Sequence, residues 1–389
     1  MHVLIAPNAF KNSLTADEAA AAIRRGLSRS RLTATAECFP VGDGGDGTGD
    51  LLIQRLKGER ISAKARDPLD RTIDTYFGLI EPSSTAIPTP PAIPTPATAI
   101  IEMANASGLR LLDRKELNPL HASSAGTGDL IRAALDHNAK RIIIGMGGSA
   151  TVDGGTGILR ALGARFLNSD GQPLNDLPAN LPDLASIDLS GLDPRLASSE
   201  LIVLCDVTNP LTGPRGAAAV FGPQKGADPA AVRHLESGLK KFAEVIFGQT
   251  GLDLAAIPRT STAGGAAAAL YGLLHASLVS GIDYFLDITG FDTALDRSNW
   301  VITGEGRIDE QTLQGKGPCG VARGAKRKGI PVIGLTGRLP PKVSLGLREC
   351  FDMLLPINPE PLELAEALRL TAFNLERTAV QLGDWLAGR

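Results

Sequence analysis

Four glycine-rich segments carry the side chains that could do chemistry, and each stands where an apolar run ends. The first is Val41-Gly42-Asp43-Gly44-Gly45-Asp46-Gly47-Thr48. Its two aspartates can take a proton from a hydroxyl or hold Mg²⁺, and its glycines let backbone amides approach an anion. The same aspartates could instead cap a helix that starts near Asp50. The second runs from Gly145 to Gly157 and includes Gly147, Gly148, Ser149, Thr151 and Asp153. It leaves a strand and opens a helix, a place where free amides and hydroxyls suit a phosphate or a carboxylate. Gly145-x-Gly147-x-x-Ala150 also fits the loose dinucleotide fingerprint, but the glycines continue well past it. The third joins Asp206, directly after an apolar run, to Thr208-Asn209-Pro210 and to Gln224-Lys225-Gly226. Asp206 there is either a functional carboxylate or part of an Asx turn. The fourth, Thr303 to Gly317, puts Gly304, Glu305, Gly306, Arg307, Asp309, Thr312 and Lys316 into one short stretch. Such a density of charge at a strand end points to function. A fifth group, Lys11 and Ser13, follows the first apolar run; Lys11 is a cation for substrate or a solvated loop lysine.

Together these segments describe a site of glycine, aspartate, lysine and hydroxyl groups. Histidine is scarce, five in the chain and none in a motif, and no G-x-S-x-G elbow is present, which argues against a serine hydrolase. The lysine segment is not a Walker A loop, because Glu310 stands where its first glycine would be and Gly317 follows Lys316. No kinase H-R-D or D-F-G set occurs. Amides, cations and Mg²⁺ around spread negative charge suit phosphoryl transfer, although a sugar- or acid-phosphate isomerase would look similar.

The elements that must position these groups alternate. Val3–Ile5, Thr35–Val41, Arg141–Gly145, Leu201–Cys205, Trp300–Thr303, Pro331–Leu335 and Phe351–Leu355 read as strands, most of them continuously apolar. That pattern fits parallel sheets covered by helices, an α/β fold. Thr15 and Glu18 form a capping box that opens a helix to about Arg29. Leu362–Leu386 carries one apolar stripe and predicts a long helix packed on its own domain. With 389 residues the chain is long enough for two domains, and its character changes near 66–72 and 285–295. Residues 82–98, rich in Pro and Thr with two I-P-T-P copies, read as an exposed extended loop. Lys plus Arg is 39 and Asp plus Glu 42, a net charge of −3. This gives no electrostatic reason to expect nucleic acid or an anionic membrane as partner. The four cysteines form no C-x-x-C pair. Neither a signal peptide nor a membrane span is legible, so a cytoplasmic setting is expected.

The segments IAPNAFKNSLTADEAA, FPVGDGGDGT, SAGTGDLI, IIIGMGGSATVDGGTG, LCDVTNPLTG, FGPQKGA and VITGEGRIDEQTLQGK resemble, in collinear order over nearly the whole chain, the bacterial glycerate kinase family of glyoxylate and glucarate pathways. The resemblance implies transfer of the γ-phosphoryl of ATP, with Mg²⁺, to D-glycerate, giving 2-phospho-D-glycerate. It also implies two α/β domains with the active site in a cleft between them. One would be a Rossmann- or flavodoxin-like domain built from residues 1–68 and 288–389; the other would span 69–287. In this reading Asp43, Asp206, Asp309, Lys11 and Arg307 are catalytic. Ser13, Gly147, Gly148, Ser149, Thr151, Asp153, Lys225, Gly304, Glu305, Gly306 and Lys316 bind substrate or phosphate, and Asp43 and Asp46 hold Mg²⁺. The chain departs from the family at Asn8-Ala9, where Asp-Ser is frequent, at Asp46 for Glu, at Val152 for Asn and at Ala125 for Arg or Tyr. The tract at 82–98 is an insertion. A kinase for another small hydroxy acid, a 3-phosphoglycerate-forming enzyme and a non-catalytic metabolite-binding protein of the same fold stay open, as does a monomer against a homodimer.

Overall fold

The computed structural model describes residues 1–82, 96–358, 360 and 362–388. Most of the Pro- and Thr-rich tract at 82–98 lies outside the described residues. In chain order the strands are β1 (His2–Ile5), β2 (Thr35–Cys38), β3 (Glu59–Arg66), β4 (Thr72–Ile80), β5 (Thr98–Glu102), β6 (Arg141–Gly145), β7 (Arg165–Leu167), β8 (Ser186–Asp188), β9 (Glu200–Cys205), β10 (Ser277–Ser280), β11 (Trp300–Arg307), β12 (Val332–Arg338) and β13 (Met353–Pro356). The fold is mixed α/β. Two compact units divide the chain: Met1–Asp43 with Ile282–Arg389, and Gly44–Gly281. The first joint therefore falls well before residue 68. A cut at 68–69 would separate β3 from β4, which pair antiparallel along their length from Glu59↔Leu79 to Arg66↔Thr72. The second joint falls at the start of the helix Gly281–Ile288 rather than at its end.

In the unit made from both chain ends, the sheet order is β13-β12-β11-β1-β2 and every pairing is parallel. The chain lays β2 on one side of β1, then returns to build β11, β12 and β13 on the other. Counted within the unit this is the order 2-1-3-4-5 of flavodoxin-like sheets, and it reverses between β1 and β11. The strands are apolar because helices bury them. Val3, Ile5, Ile302, Ile333 and Leu335 share one core with Ile23, Leu27, Leu375 and Leu382. The helix Ala16–Arg29 starts as its sequence dictates: Thr15 Oγ1 accepts from the Glu18 amide at 3.2 Å, and Glu18 Oε2 accepts from the Thr15 amide at 2.8 Å. The helix Leu364–Leu386 packs against it. Gly26 allows that approach, since a Cβ there would run into the Glu376 carbonyl and Ala379.

The intervening unit holds a sheet of order β10-β9-β6-β5-β4-β3. β5, β6, β9 and β10 are parallel, and β4 and β3 close the edge antiparallel. One core lies on this sheet, with Ile101, Ile142, Ile144, Val203 and Leu130. A second surrounds the helix Pro229–Thr250, with Phe166, Leu239, Phe242 and Ile246. The β7–β8 hairpin stands apart from the main sheet.

Candidate active site

Open parallel sheets bind ligands outside the carboxyl ends of their strands where the order reverses. In the first unit that place lies beyond β1 and β11. The loop after β1 is strapped to β11 by the amides of Ala6 and Asn8, which donate to the carbonyls of Ile302 at 2.7 Å and Gly304 at 2.8 Å. The chain after β2 is tied to the same loop by the Val41 amide on the Pro7 carbonyl, 3.0 Å. Asp43 is thereby held at this edge, 5% exposed. Its Oδ2 accepts from Asn8 Nδ2 at 2.8 Å and from the Gly317 amide at 3.3 Å. Asn8 Oδ1 accepts from the Ala9 amide, 2.8 Å, which orients the side-chain amide toward Asp43. Asn8 thus sets a donor, not a second carboxylate, against Asp43. Gly317 opens the helix Gly317–Arg327; Lys316 at its N-cap makes no side-chain cap, and Asp43 takes the first amide instead. A Cβ on Gly317 would press into the Asn8 side chain.

Glu305 lies inside β11, buried at 7% exposure. Its Oε1 accepts from Thr312 Oγ1 at 2.8 Å. Burial pushes its carboxyl up to about 7 and Asp43 adds to that, while Lys316, Thr312 and Lys11 oppose it. Asn8, Lys11, Asp43, Glu305, Thr312 and Lys316 are therefore brought to one edge.

Other expected site groups in this unit are engaged elsewhere. β11 runs on past Thr303 to Arg307, so Gly304 and Gly306 are strand residues and not a loop cradle. Gly304 pairs with Leu335, and a Cβ on it would strike the Leu335 carbonyl; the sheet, not an anion, requires that glycine. Arg307 Nε pairs with Asp309 Oδ2 at 2.6 Å, and Asp309 Oδ1 accepts from the Gln311 amide at 2.8 Å. Ser13 Oγ donates to the Leu368 carbonyl at 2.6 Å, pinning the first loop to the C-terminal helix.

The aspartate turn of the second unit already holds a carboxyl of its own. Glu102, the last residue of β5, is 4% exposed. One oxygen accepts from the Gly47 amide and the other from the Gly49 amide, the latter at 3.1 Å. It thereby caps the helix Thr48–Arg55, whose own N-cap is Gly47. A Cβ on Gly49 would collide with this carboxyl. Burial pushes Glu102 up to about 8, with Asp46 adding to the effect and the Gly47 amide and Arg110 opposing it. Asp46 is half-exposed and pairs with Arg110, 3.4 Å. Sequence reasoning missed Glu102 because it is distant in the chain and ends an apolar strand. The signal was a carboxylate at a strand's carboxyl end.

In the loop after β6, the Gly147 amide donates to the Gly44 carbonyl at 2.9 Å, and a Cβ on Gly147 would strike the backbone of Gly45 and Asp46. Gly148 has φ +70°, which favours glycine. Lys225 is buried, and Nζ donates to Ser149 Oγ at 2.8 Å and to the Thr151 carbonyl at 2.7 Å. Burial lowers it to about 7 against the pull of Asp153 and Asp206. This lysine fixes the loop from beneath. Asp153 is likewise structural. It is 1% exposed and accepts from the Ser124 amide and hydroxyl at 2.9 and 2.6 Å and from the Gly155 and Gly157 amides at 3.0 and 3.1 Å. Val152 is wholly buried in the same core as Leu211 and Ala268. Asp206 immediately follows β9 and is partly exposed.

Asp43 Oδ2 already takes two donors, and Asp46 faces Arg110 and Glu102. Among the described residues no group of three or more His, Cys, Asp or Glu could hold a metal ion. Nor, among them, is any helix long and apolar enough to cross a membrane.

The sequence model of the glycerate kinase family matches residues 3–387. A glycerate kinase of Bacillus subtilis is 42% identical, covering 97% of this chain and 96% of its own length. A glycerate 2-kinase of Escherichia coli is 39% identical, covering 100% and 98%. A crystal structure named for glycerate kinase 2 of Salmonella typhimurium LT2 superposes with a TM-score of 0.78 at 39% identity, over 100% of this chain and 98% of that one. Matched from end to end in sequence and in fold, the chain belongs to the glycerate kinase family and is a kinase.

Proposed function

We propose that the protein transfers the γ-phosphoryl group of ATP to the 2-hydroxyl of D-glycerate, giving 2-phospho-D-glycerate and ADP. The observation that carries this reading is the cluster at the switch point, where Lys11, Lys316, Asp43 and Glu305 gather at the start of the helix Gly317–Arg327, whose first amide is held by Asp43. Phosphoryl transfer needs positioning and neutralisation of spread negative charge more than covalent chemistry. Lys11 and Lys316 supply charge to neutralise an anionic oxygen. Arg307, two-thirds exposed and ion-paired with Asp309, is a candidate cation for the triphosphate. Ser149 offers a hydroxyl held in place by Lys225, in a loop that turns at Gly148 with φ +70°. Mg²⁺, if used, would be held mainly by the phosphates of the nucleotide, with few protein ligands, and would supply charge to the transferred group. The 2-position is supported by the name of the Escherichia coli relative.

The test supplies ATP, Mg²⁺ and D-glycerate and passes the product to enolase with and without phosphoglycerate mutase. Turnover through enolase alone is expected. Turnover only with mutase would mean phosphorylation at the 3-position. No consumption of ATP would shift the reading to another hydroxy acid or to a binding protein.

A further inference from the structure

We propose that Glu305 is the group that takes the proton from the acceptor hydroxyl, an assignment that rests on the kinase reading above. Its carboxyl is built into a strand, where it is held more firmly than a loop residue, and it stands at the sheet edge where the order reverses. Thr312 fixes it in one orientation. The Asp309 amide donates to Thr312 Oγ1 at 3.2 Å, which leaves the hydroxyl hydrogen for Glu305 Oε1. No described residue donates a hydrogen bond to Oε2, so that oxygen is the one available to a substrate.

The neighbouring carboxylates are less suited. Asp309 has one oxygen on Arg307 and the other on the Gln311 amide. Asp43 has two donors on Oδ2, Asn8 Nδ2 and the Gly317 amide, which occupy that oxygen. The charged groups facing Glu305 are Lys11 from the loop after β1, Asp43 from the chain after β2, and Lys316 from the turn before the helix Gly317–Arg327. Burial raises the carboxyl to about 7 against the two lysines, and a base of that affinity is suited to proton transfer near neutrality.

The O–H bond of the acceptor breaks and its proton passes to Glu305 Oε2. The freed oxygen bonds to the γ-phosphorus as the bond from that phosphorus to the bridging oxygen breaks, and ADP departs with the electron pair. Glu305 later releases the proton to water.

The experiment compares full-length wild type, Glu305→Gln and Glu305→Asp in D-glycerate-dependent ADP release from pH 5.5 to 9, with thermal midpoints measured alongside. Wild-type kcat/KM is expected to rise with pH through about 7. In Glu305→Gln, kcat should fall ~10²–10⁴-fold, KM for both substrates should stay within about threefold, and the acid limb should vanish. Glu305→Asp should restore part of the rate and keep a limb, which serves if the Gln variant folds poorly. A Gln variant that keeps the wild-type rate and limb overturns the assignment alone, as does loss of the limb in Asp206→Asn but not in Glu305→Gln. A wild type inert toward D-glycerate overturns the kinase reading as well.

Discussion

Glu102 sits at the end of β5 with its oxygens on the amides of Gly47 and Gly49, so a turn rich in free amides is filled from within. The consequence can be read as stability against pH. Burial holds the Glu102 carboxyl protonated up to about 8 in the folded chain, whereas the unfolded chain loses that proton near ~4.3. Between those values the folded state binds more protons, so this residue's contribution to stability falls as pH rises. Lys225 acts oppositely at higher pH. Burial lowers it to about 7, so above 7 the unfolded chain holds a proton the folded chain lacks, and stability rises with pH. Comparing wild type with Glu102→Gln cancels Lys225. Urea unfolding at pH 5, 6.5 and 8 should show the wild type losing ground to the variant as pH rises; a constant difference would mean Glu102 is ionised throughout. Residue type alone could not separate Asp43 from Asp153. Both follow a strand and precede glycines, yet Asp153 is enclosed by four donors from its own fold.

At the scale of elements, the strands buried on both faces were legible because burial on both faces requires continuous apolar runs. β3 was not. Its sequence ERISAKAR alternates, with Ile61, Ala63 and Ala65 turned inward between polar neighbours, and an edge hairpin of this kind was taken into a domain boundary. The end of β11 was misread because Gly304 and Gly306 look like turn residues; Gly304 is there for the close approach of Leu335. Gly26 offers a test of element packing in which two effects compete. Ala gains ~1 kcal/mol over Gly from helix propensity. Its methyl would collide with the Glu376 carbonyl and Ala379, and overpacking costs ~1–3 kcal/mol. Gly26→Ala should therefore lower the denaturant midpoint at an unchanged slope. A raised midpoint would show that the two helices part easily.

At the scale of the whole molecule, the two chain ends fold into one sheet whose order reverses between β1 and β11. That topology explains why chemistry-bearing residues near 8–13, 43 and 305–317 are so far apart in sequence. It brings Asn8, Lys11, Asp43, Glu305 and Lys316 to one edge, while Ser13 and Asp309 reach the same region but serve structure. Alternation of strands and helices foretold the class of fold, and the charged segments foretold the edge. What stayed hidden were the partners, because hydrogen bonds such as Asn8 to Asp43 join positions that no local pattern relates. The claim that this edge carries the reaction is tested most directly by Asp43→Asn, assayed as D-glycerate-dependent ADP release with circular dichroism and thermal midpoint as controls. The account predicts a loss of kcat/KM of at least ~10²-fold in a folded protein. A folded Asp43→Asn protein within about threefold of wild type would contradict it.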